Sequence, residues 1–355
     1  MNILIAIGHP AQVHNFRIVS DQLKRKGHEV FWLASKKDIS DYLLKAYNID
    51  YTELKRPHGG VVSKVSTLIK NVWITIRVIR RNNIDIVVSR VNPGVVLASF
   101  LLRKKQIGLS DTEVAGFYDL AFSKFLNSFI TSTSFEKTLR KDQIRINANI
   151  ELFYLHPNYF KGNKDEVFRL LNIPEKEPFV IVRYVSNNAY HDLGTKFISN
   201  DKKIEFVKQV SKYARVFISS EEKLPVSLQK YEIKFPYEKV HEVMKEAMLF
   251  YGESATMASE CAIMGVPAIY VNAQSRGYTN DEQRYGLLYY YKTDEKSQLL
   301  SINKAIELLN KGNLKEEMRL RQRDFMKSKI DPVAFLVWFI ENYPESKRIM
   351  KENPD

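Results

Sequence analysis

Cysteine is nearly absent from this chain of 355 residues. Cys261 stands alone, which excludes a disulfide framework and a cysteine-based zinc site and suits a reducing compartment. Glycine (14) and proline (12) are scarce, so collagen-like and linker-dominated chains are excluded as well. Long hydrophobic runs are missing. The apolar opening at 3–7 is too short for a signal peptide, and the stretch 95–102 cannot span a bilayer. These absences give the expectation of a cytoplasmic protein. No Asp-x-Asp triplet occurs, and no His, Asp or Glu cluster shows helical metal spacing. Acidic residues are thin in the first 150 positions, where 23 Lys and Arg face 12 Asp and Glu, so almost all of the net charge of +13 sits there. Such a half calls for an anionic partner: a membrane surface, a phosphorylated substrate or nucleic acid.

What is present is ordinary for a globular protein: 45% hydrophobic and 27% charged residues, at a length that suits two domains. The pattern predicts strands at 3–7, 29–34 and 85–89, with shorter ones at 106–110 and 129–131. A loop at 8–14 leads to a helix carrying Phe16, Val19 and Leu23 on one face and closed by Gly27. A second alternation starts near 178, with strands at 179–184, 214–219, 248–252 and 267–271 and helices at 201–213, 238–247 and 254–265. The restart predicts an N-terminal domain over 1–160 and a C-terminal domain over 161–331. Asp331-Pro332 reads as a helix start, and the apolar helix it opens, about 332–350, needs burial on the first domain. The fold class expected is α/β, two Rossmann-like doubly wound domains facing a cleft.

The sharpest motif is Gly252-Glu253-Ser254-Ala255-Thr256, which runs on through Glu260 to Gly265-Val266-Pro267. A strand ends at Gly252, and small hydroxylated residues open a helix whose free amides and positive dipole end suit a phosphate. Glu260, further along, has the chemistry to hold vicinal ribose hydroxyls. The plainer reading is a capped helix with a surface glutamate.

This motif resembles the donor-nucleotide signature of GT-B glycosyltransferases. The whole chain is more closely similar to a family of predicted glycosyltransferases of bacteria and archaea, and more distantly to the N-acetylglucosaminyltransferases of peptidoglycan synthesis. The matching blocks, in order, are His9 to Phe16, Gly27 to Val30, Ser110 to Glu113, Glu151 to Pro157, Arg183 with Ala189 to Asp192, Pro236 to His241, and residues 252–269. The resemblance implies Glu260 on the nucleotide ribose and Ser254, Ala255 and Thr256 by the diphosphate. It also implies Phe235 and Tyr237 near the base, Glu282 and Gln283 toward the donor sugar, and His14 facing the reaction centre. The relatives have a glycine-rich loop ahead of that histidine where this chain has His9-Pro10-Ala11-Gln12-Val13.

From the residues themselves, His9 and His14 follow the first strand, where a doubly wound sheet binds its ligand, and either suits proton removal from an acceptor hydroxyl. Asp111 ends a strand at the same edge and is a rival base, with Glu113 able to orient a histidine. Arg183, Asn187 and Asn188 suit a diphosphate or sugar hydroxyls. The alternative is a polar turn with Arg183 in a structural ion pair. Between 59 and 83, Val61, Val65, Leu68, Ile69, Val72, Trp73, Ile76 and Ile79 recur at helical spacing among Lys64, Lys70, Arg77, Arg80 and Arg81. This reads either as a core-facing helix with a basic solvated side or as an edge resting on anionic lipid. Nucleic acid is not expected, because no nucleic-acid-binding spacing occurs.

The function expected is a metal-independent, inverting glycosyltransferase without a cofactor, acting in cell-surface polysaccharide synthesis. It would take a UDP-linked sugar to a glycan or lipid-linked acceptor, peripherally at the inner membrane face. The rivals are a non-hydrolysing UDP-sugar 2-epimerase, with acid and base drawn from Asp111, Glu113 and His191, and a non-catalytic sugar-nucleotide or polyanion binder.

Overall fold

The structure, a computed structural model, describes residues 1–36, 38–57, 59–111, 121–186 and 197–353. The chain divides into two compact units, one of Met1–Tyr159 with Ile330–Asp355 and one of Phe160–Lys329.

The first unit is built on seven parallel strands: β1 (Asn2–Ile7), β2 (Glu29–Ser35), β3 (Thr52–Leu54), β4 (Ile86–Ser89), β5 (Lys105–Ser110), β6 (Ser128–Ser132) and β7 (Ile144–Ile146). Their order is β3-β2-β1-β4-β5-β6-β7. Parallel neighbours need long crossovers, and helices supply them here. β1 is covered on both faces, which is why Ile3, Leu4, Ile5, Ala6 and Ile7 form an unbroken apolar run. Strand order reverses between β1 and β4, so the chain leaves the carboxyl ends of these two strands in opposite directions and opens a crevice there.

Two closing helices, Pro332–Glu341 and Glu345–Glu352, complete this unit where the sequence suggests one. Asp331 caps the first by accepting the Val333 and Ala334 N–H groups at 3.0 Å each. Val333, Leu336, Val337, Phe339 and Ile340 are buried, as so apolar a helix requires. Glu341 at its end binds Lys26 Nζ at 2.6 Å and His28 Nε2 at 3.1 Å, both just past the Ala11–Arg25 helix.

The Val61–Arg81 helix turns the expected amphipathic pattern outward. Its inward face carries Thr67, Asn71, Thr75, Val78 and Ile79, while Val61, Val62, Val65, Ile69 and Trp73 are exposed. Polar inward residues are tolerated because they are bonded. Asn71 accepts the Lys55 N–H at 2.8 Å and donates to the Lys55 carbonyl at 3.0 Å, and Thr75 donates to the Asn71 carbonyl at 2.7 Å. Gly94, in the Pro93–Leu101 helix, lies so near that a Cβ there would sit 2.8 Å from Asn71 Cβ.

The second unit holds five parallel strands, β8 (Phe179–Tyr184), β9 (Arg215–Ser220), β10 (Leu249–Gly252), β11 (Ala268–Val271) and β12 (Leu288–Tyr291). The order β12-β11-β10-β8-β9 reverses between β8 and β10, the second common doubly wound pattern. Phe179, Val180, Phe250, Tyr251 and Ile269 fill its centre, and Phe206 stacks on Tyr251 with ring centroids 3.8 Å apart. At the reversal the strands close tightly. A Cβ on Gly252 would lie 2.2 Å from the Arg183 carbonyl oxygen, so only glycine fits.

Candidate functional site

In the second unit the reversal between β8 and β10 carries the motif. Ser254 caps the Ala255–Ile263 helix and accepts the Met257 N–H at 3.3 Å. The helix opening is accessible: Thr256 is exposed, and Ser254 and Ala255 are half-buried. Its amides and dipole therefore face space that an anion can enter.

Glu260 is not on the surface, as a capped helix with a solvated glutamate requires. It is 6% exposed, and its Oε1 lies 3.0 Å from Nε2 of His241, itself 5% exposed. His241 stands on the Val240–Glu246 helix, directly after the single turn Tyr237–Lys239. That contact draws the exposed Tyr237 and half-buried Phe235 side of the unit toward the Ala255–Ile263 helix. Lys239 adds a bond to Glu166 at 2.8 Å.

Glu282 is enclosed, with no exposed surface, and accepts a bond from the Ser259 hydroxyl. It lies on the Gly277–Arg284 helix, on the face packed against the Ala255–Ile263 helix. The place expected for it, toward a donor sugar, is thus an enclosed one. Its neighbour Gln283 is exposed. Arg183 donates to Ser219 Oγ at 2.7 Å and pairs with Glu221, which also accepts the Ser186 N–H at 3.1 Å. The structural ion pair is thus formed. Asn187, Asn188, His191 and Asp192 lie outside the described residues, as does Glu113.

Glu253, one residue before the cap, is a site feature missed by sequence reasoning. It is 2% exposed. Its carboxylate accepts the Val185 N–H at 3.1 Å and the Ile198 N–H at 2.7 Å. Its own N–H donates to the Arg183 carbonyl at 3.0 Å, and its carbonyl accepts from Asn272 Nδ2 at 3.2 Å. Burial pushes its carboxyl up to about 7, against the pull of the two amides and of Lys203. Position within the motif was the only available signal, since partners so distant in sequence leave no local pattern.

In the first unit the carboxyl edge at the β1–β4 reversal gathers His9, Arg90 and Asp111. Asp111, just past β5, pairs with Arg90, just past β4, and Arg90 also reaches Asn15 Oδ1 at 3.5 Å. Arg90 is the second residue missed; its place directly after a strand at the reversal was the usable cue. The next residue, Val91, is held at φ +42, a conformation that a β-branched side chain rarely adopts. It is fixed there by packing with Val96, Leu126 and Phe129.

The loop after β1 is shorter than the sequence suggests. The helix begins at Ala11, following Pro10, and Gln12 Oε1 accepts the Gly8 N–H at 2.7 Å. His14 is therefore helical and enclosed, with the Tyr47 and Tyr154 rings 5.8 and 5.5 Å away between centroids. His9 remains in the loop, exposed, with Nδ1 accepting the Ala11 N–H at 3.3 Å. Among the described residues, no cluster of three or more His, Cys, Asp or Glu side chains is placed to hold a metal ion. None of the helices described is long and apolar enough to cross a membrane.

Comparison with solved structures identifies the architecture. A UDP-N-acetylglucosamine 2-epimerase is 12% identical, with 97% of this chain and 96% of that one aligned at a TM-score of 0.69. MurG of Acinetobacter baumannii is 18% identical, with 96% and 99% aligned at 0.62. The spinosyn rhamnosyltransferase SpnG, solved with spinosyn aglycone, is 11% identical, with 96% and 100% aligned at 0.60. The chain has the GT-B fold. No protein-family model matches the sequence, and no curated protein matches it. At these identities the likeness concerns the GT-B fold alone.

Proposed function

We propose that this GT-B protein is a glycosyltransferase. In this reading the second unit binds a UDP-linked sugar and the first binds a glycan or lipid-linked acceptor. The observation that carries it is the 3.0 Å contact between His241 and Glu260 beside an open helix start. It gathers a turn suited to a base, a carboxylate suited to a ribose and free amides suited to a diphosphate.

The acceptor hydroxyl oxygen attacks the anomeric carbon from the face opposite UDP, which inverts the centre. The bond from that carbon to the diphosphate breaks, and its electron pair leaves with UDP. The helix-start amides meet the charge on the leaving diphosphate, without a required metal. The acceptor proton goes to a base at the carboxyl edge of the first unit. The exposed His9 is better presented for this than Asp111, which is paired with Arg90, or the enclosed His14.

The outward apolar side of the Val61–Arg81 helix, set among Lys64, Lys70, Arg77, Arg80 and Arg81 with no acidic residue on the helix, supports contact with an anionic lipid surface. This suits a lipid-linked acceptor at the cytoplasmic membrane face and a role in cell-surface polysaccharide synthesis.

A second reading, the non-hydrolysing UDP-sugar 2-epimerase, is compatible with the same GT-B fold, which the UDP-N-acetylglucosamine 2-epimerase shares. Incubation with UDP-N-acetylglucosamine and no acceptor separates the two. The transferase leaves the sugar configuration unchanged and releases UDP only when an acceptor is added. Isomerisation without UDP release contradicts it and selects the epimerase.

A further inference from the structure

Glu253 has no part in the reaction just described, yet its carboxylate is buried and bonded on both oxygens. It sits at the β8–β10 reversal, between Gly252, which no other residue can replace without displacing Arg183, and Ser254, which caps the helix. Each carboxylate oxygen holds one backbone amide, Val185 directly after β8 and Ile198 directly before the cap of the Asn200–Val210 helix. One side chain therefore fixes two chain segments against the helix start.

Among the described residues, the surroundings of this carboxylate are poor in positive charge. From the Asn200–Val210 helix, Lys203 acts on it favourably, but its ammonium is placed 4.6 Å over the Tyr184 ring. Past β9, Glu222 opposes its charge, and the neighbouring phenols of Tyr184 on β8 and Tyr251 on β10 are held neutral by burial. Ionised, Glu253 is already costly here, because a carboxylate only 2% exposed has lost its water, and burial pushes it up to about 7. A diphosphate gripped by the next residues brings further negative charge close to it, and two like charges in a poorly solvated place shed their repulsion by taking up a proton.

Resting on the nucleotide-sugar reading of this site, we propose that Glu253 is a positioning residue whose carboxylate takes up a proton from solvent when a nucleotide sugar binds. The donor is then held by a neutral Glu253, with Ser254, Ala255 and Thr256 facing the diphosphate.

Calorimetry of the full chain with UDP-N-acetylglucosamine tests this. That ligand's diphosphate does not titrate near neutrality, so protons counted from the heats in two buffers of different ionisation enthalpy belong to the protein. At about pH 7.5 the wild type takes up well over half a proton per ligand, and at most about three-quarters because Glu253 is already about one-quarter protonated there, while Glu253→Gln takes up almost none. The difference between the two proteins isolates Glu253, because proton uptake by His241 or any other linked group is common to both and cancels. Binding without proton uptake, or with equal uptake in both proteins, overturns the inference and leaves the nucleotide-sugar reading standing. No binding heat with the wild type across pH 6–9, backed by an unshifted melting temperature, overturns both. Should Glu253→Gln fail to fold, the wild-type proton count decides, because uptake must fade below about pH 6, where Glu253 is already neutral without ligand.

Discussion

Cys261 has no exposed surface inside the Ala255–Ile263 helix, and burial, with the carboxylates of Glu260 and Glu282 nearby, raises its thiol far above the ordinary range. A thiol that neither ionises nor meets solvent is inert. A disulfide reagent at about pH 8 is therefore expected to titrate no thiol in the folded protein and one after unfolding; rapid labelling of the native chain contradicts this packing. Glu253 gives a second residue-scale test, with its sign fixed by linkage. Its carboxyl stands at about 7 in the fold against 4.5 ordinarily, so the folded chain holds the extra proton between those values. Its favourable contribution is complete below about pH 4.5 and lost as the pH rises through about 7. The urea-unfolding free energy of the wild type, less that of Glu253→Gln, is expected to grow by about 3 kcal/mol on acidification across that window. A constant difference contradicts the buried setting. At this scale the sequence named candidate residues but not how they stand. The burial of Glu260 and Glu282 could not be read there, because their partners His241 and Ser259 meet them only after the helices pack.

Among the elements, the inner strands β1, β4, β8, β10 and β11 were legible because they are covered on both faces and carry continuous apolar runs. The three-residue strands β3 and β7 at the sheet edges, and β12 with its half-buried tyrosines, carry too little apolar surface to stand out. The close approach of β10 to β8 gives a structural test. In Gly252→Ala the new methyl group meets the Arg183 backbone, and a loss of about 1–3 kcal/mol is expected from the urea midpoint. Wild-type stability contradicts that contact. The Val61–Arg81 helix shows how periodicity alone fails to tell inside from outside. Its apolar stripe is real, but packing between Asn71 and Gly94 turns a polar face inward. Sedimentation with anionic vesicles is expected to carry the protein down at low salt and release it at high salt, and Trp73→Asp to weaken that association several-fold. A protein that stays in the supernatant at low salt contradicts the lipid contact.

For the whole molecule, the two sheets reverse their strand order at different points, β1–β4 in one unit and β8–β10 in the other, and the candidate residues of each unit collect at the corresponding carboxyl edge. His9, Arg90 and Asp111 fall at the first; Arg183, Glu253 and Ser254 fall at the second. The alternation of strand and helix was enough to anticipate two doubly wound sheets. The pairing of distant side chains that equips each edge was not, since Arg90 and Asp111, or His241 and Glu260, meet only in the fold. The central claim is that the Ala255–Ile263 helix and Glu260 together hold a uridine nucleotide. Its most direct test is calorimetric titration of UDP into the wild type and Glu260→Ala. Loss of a charged hydrogen bond to the ribose is expected to weaken binding by about 1.5–3 kcal/mol in the variant; equal affinity in the two proteins, or no binding to the wild type, contradicts the account.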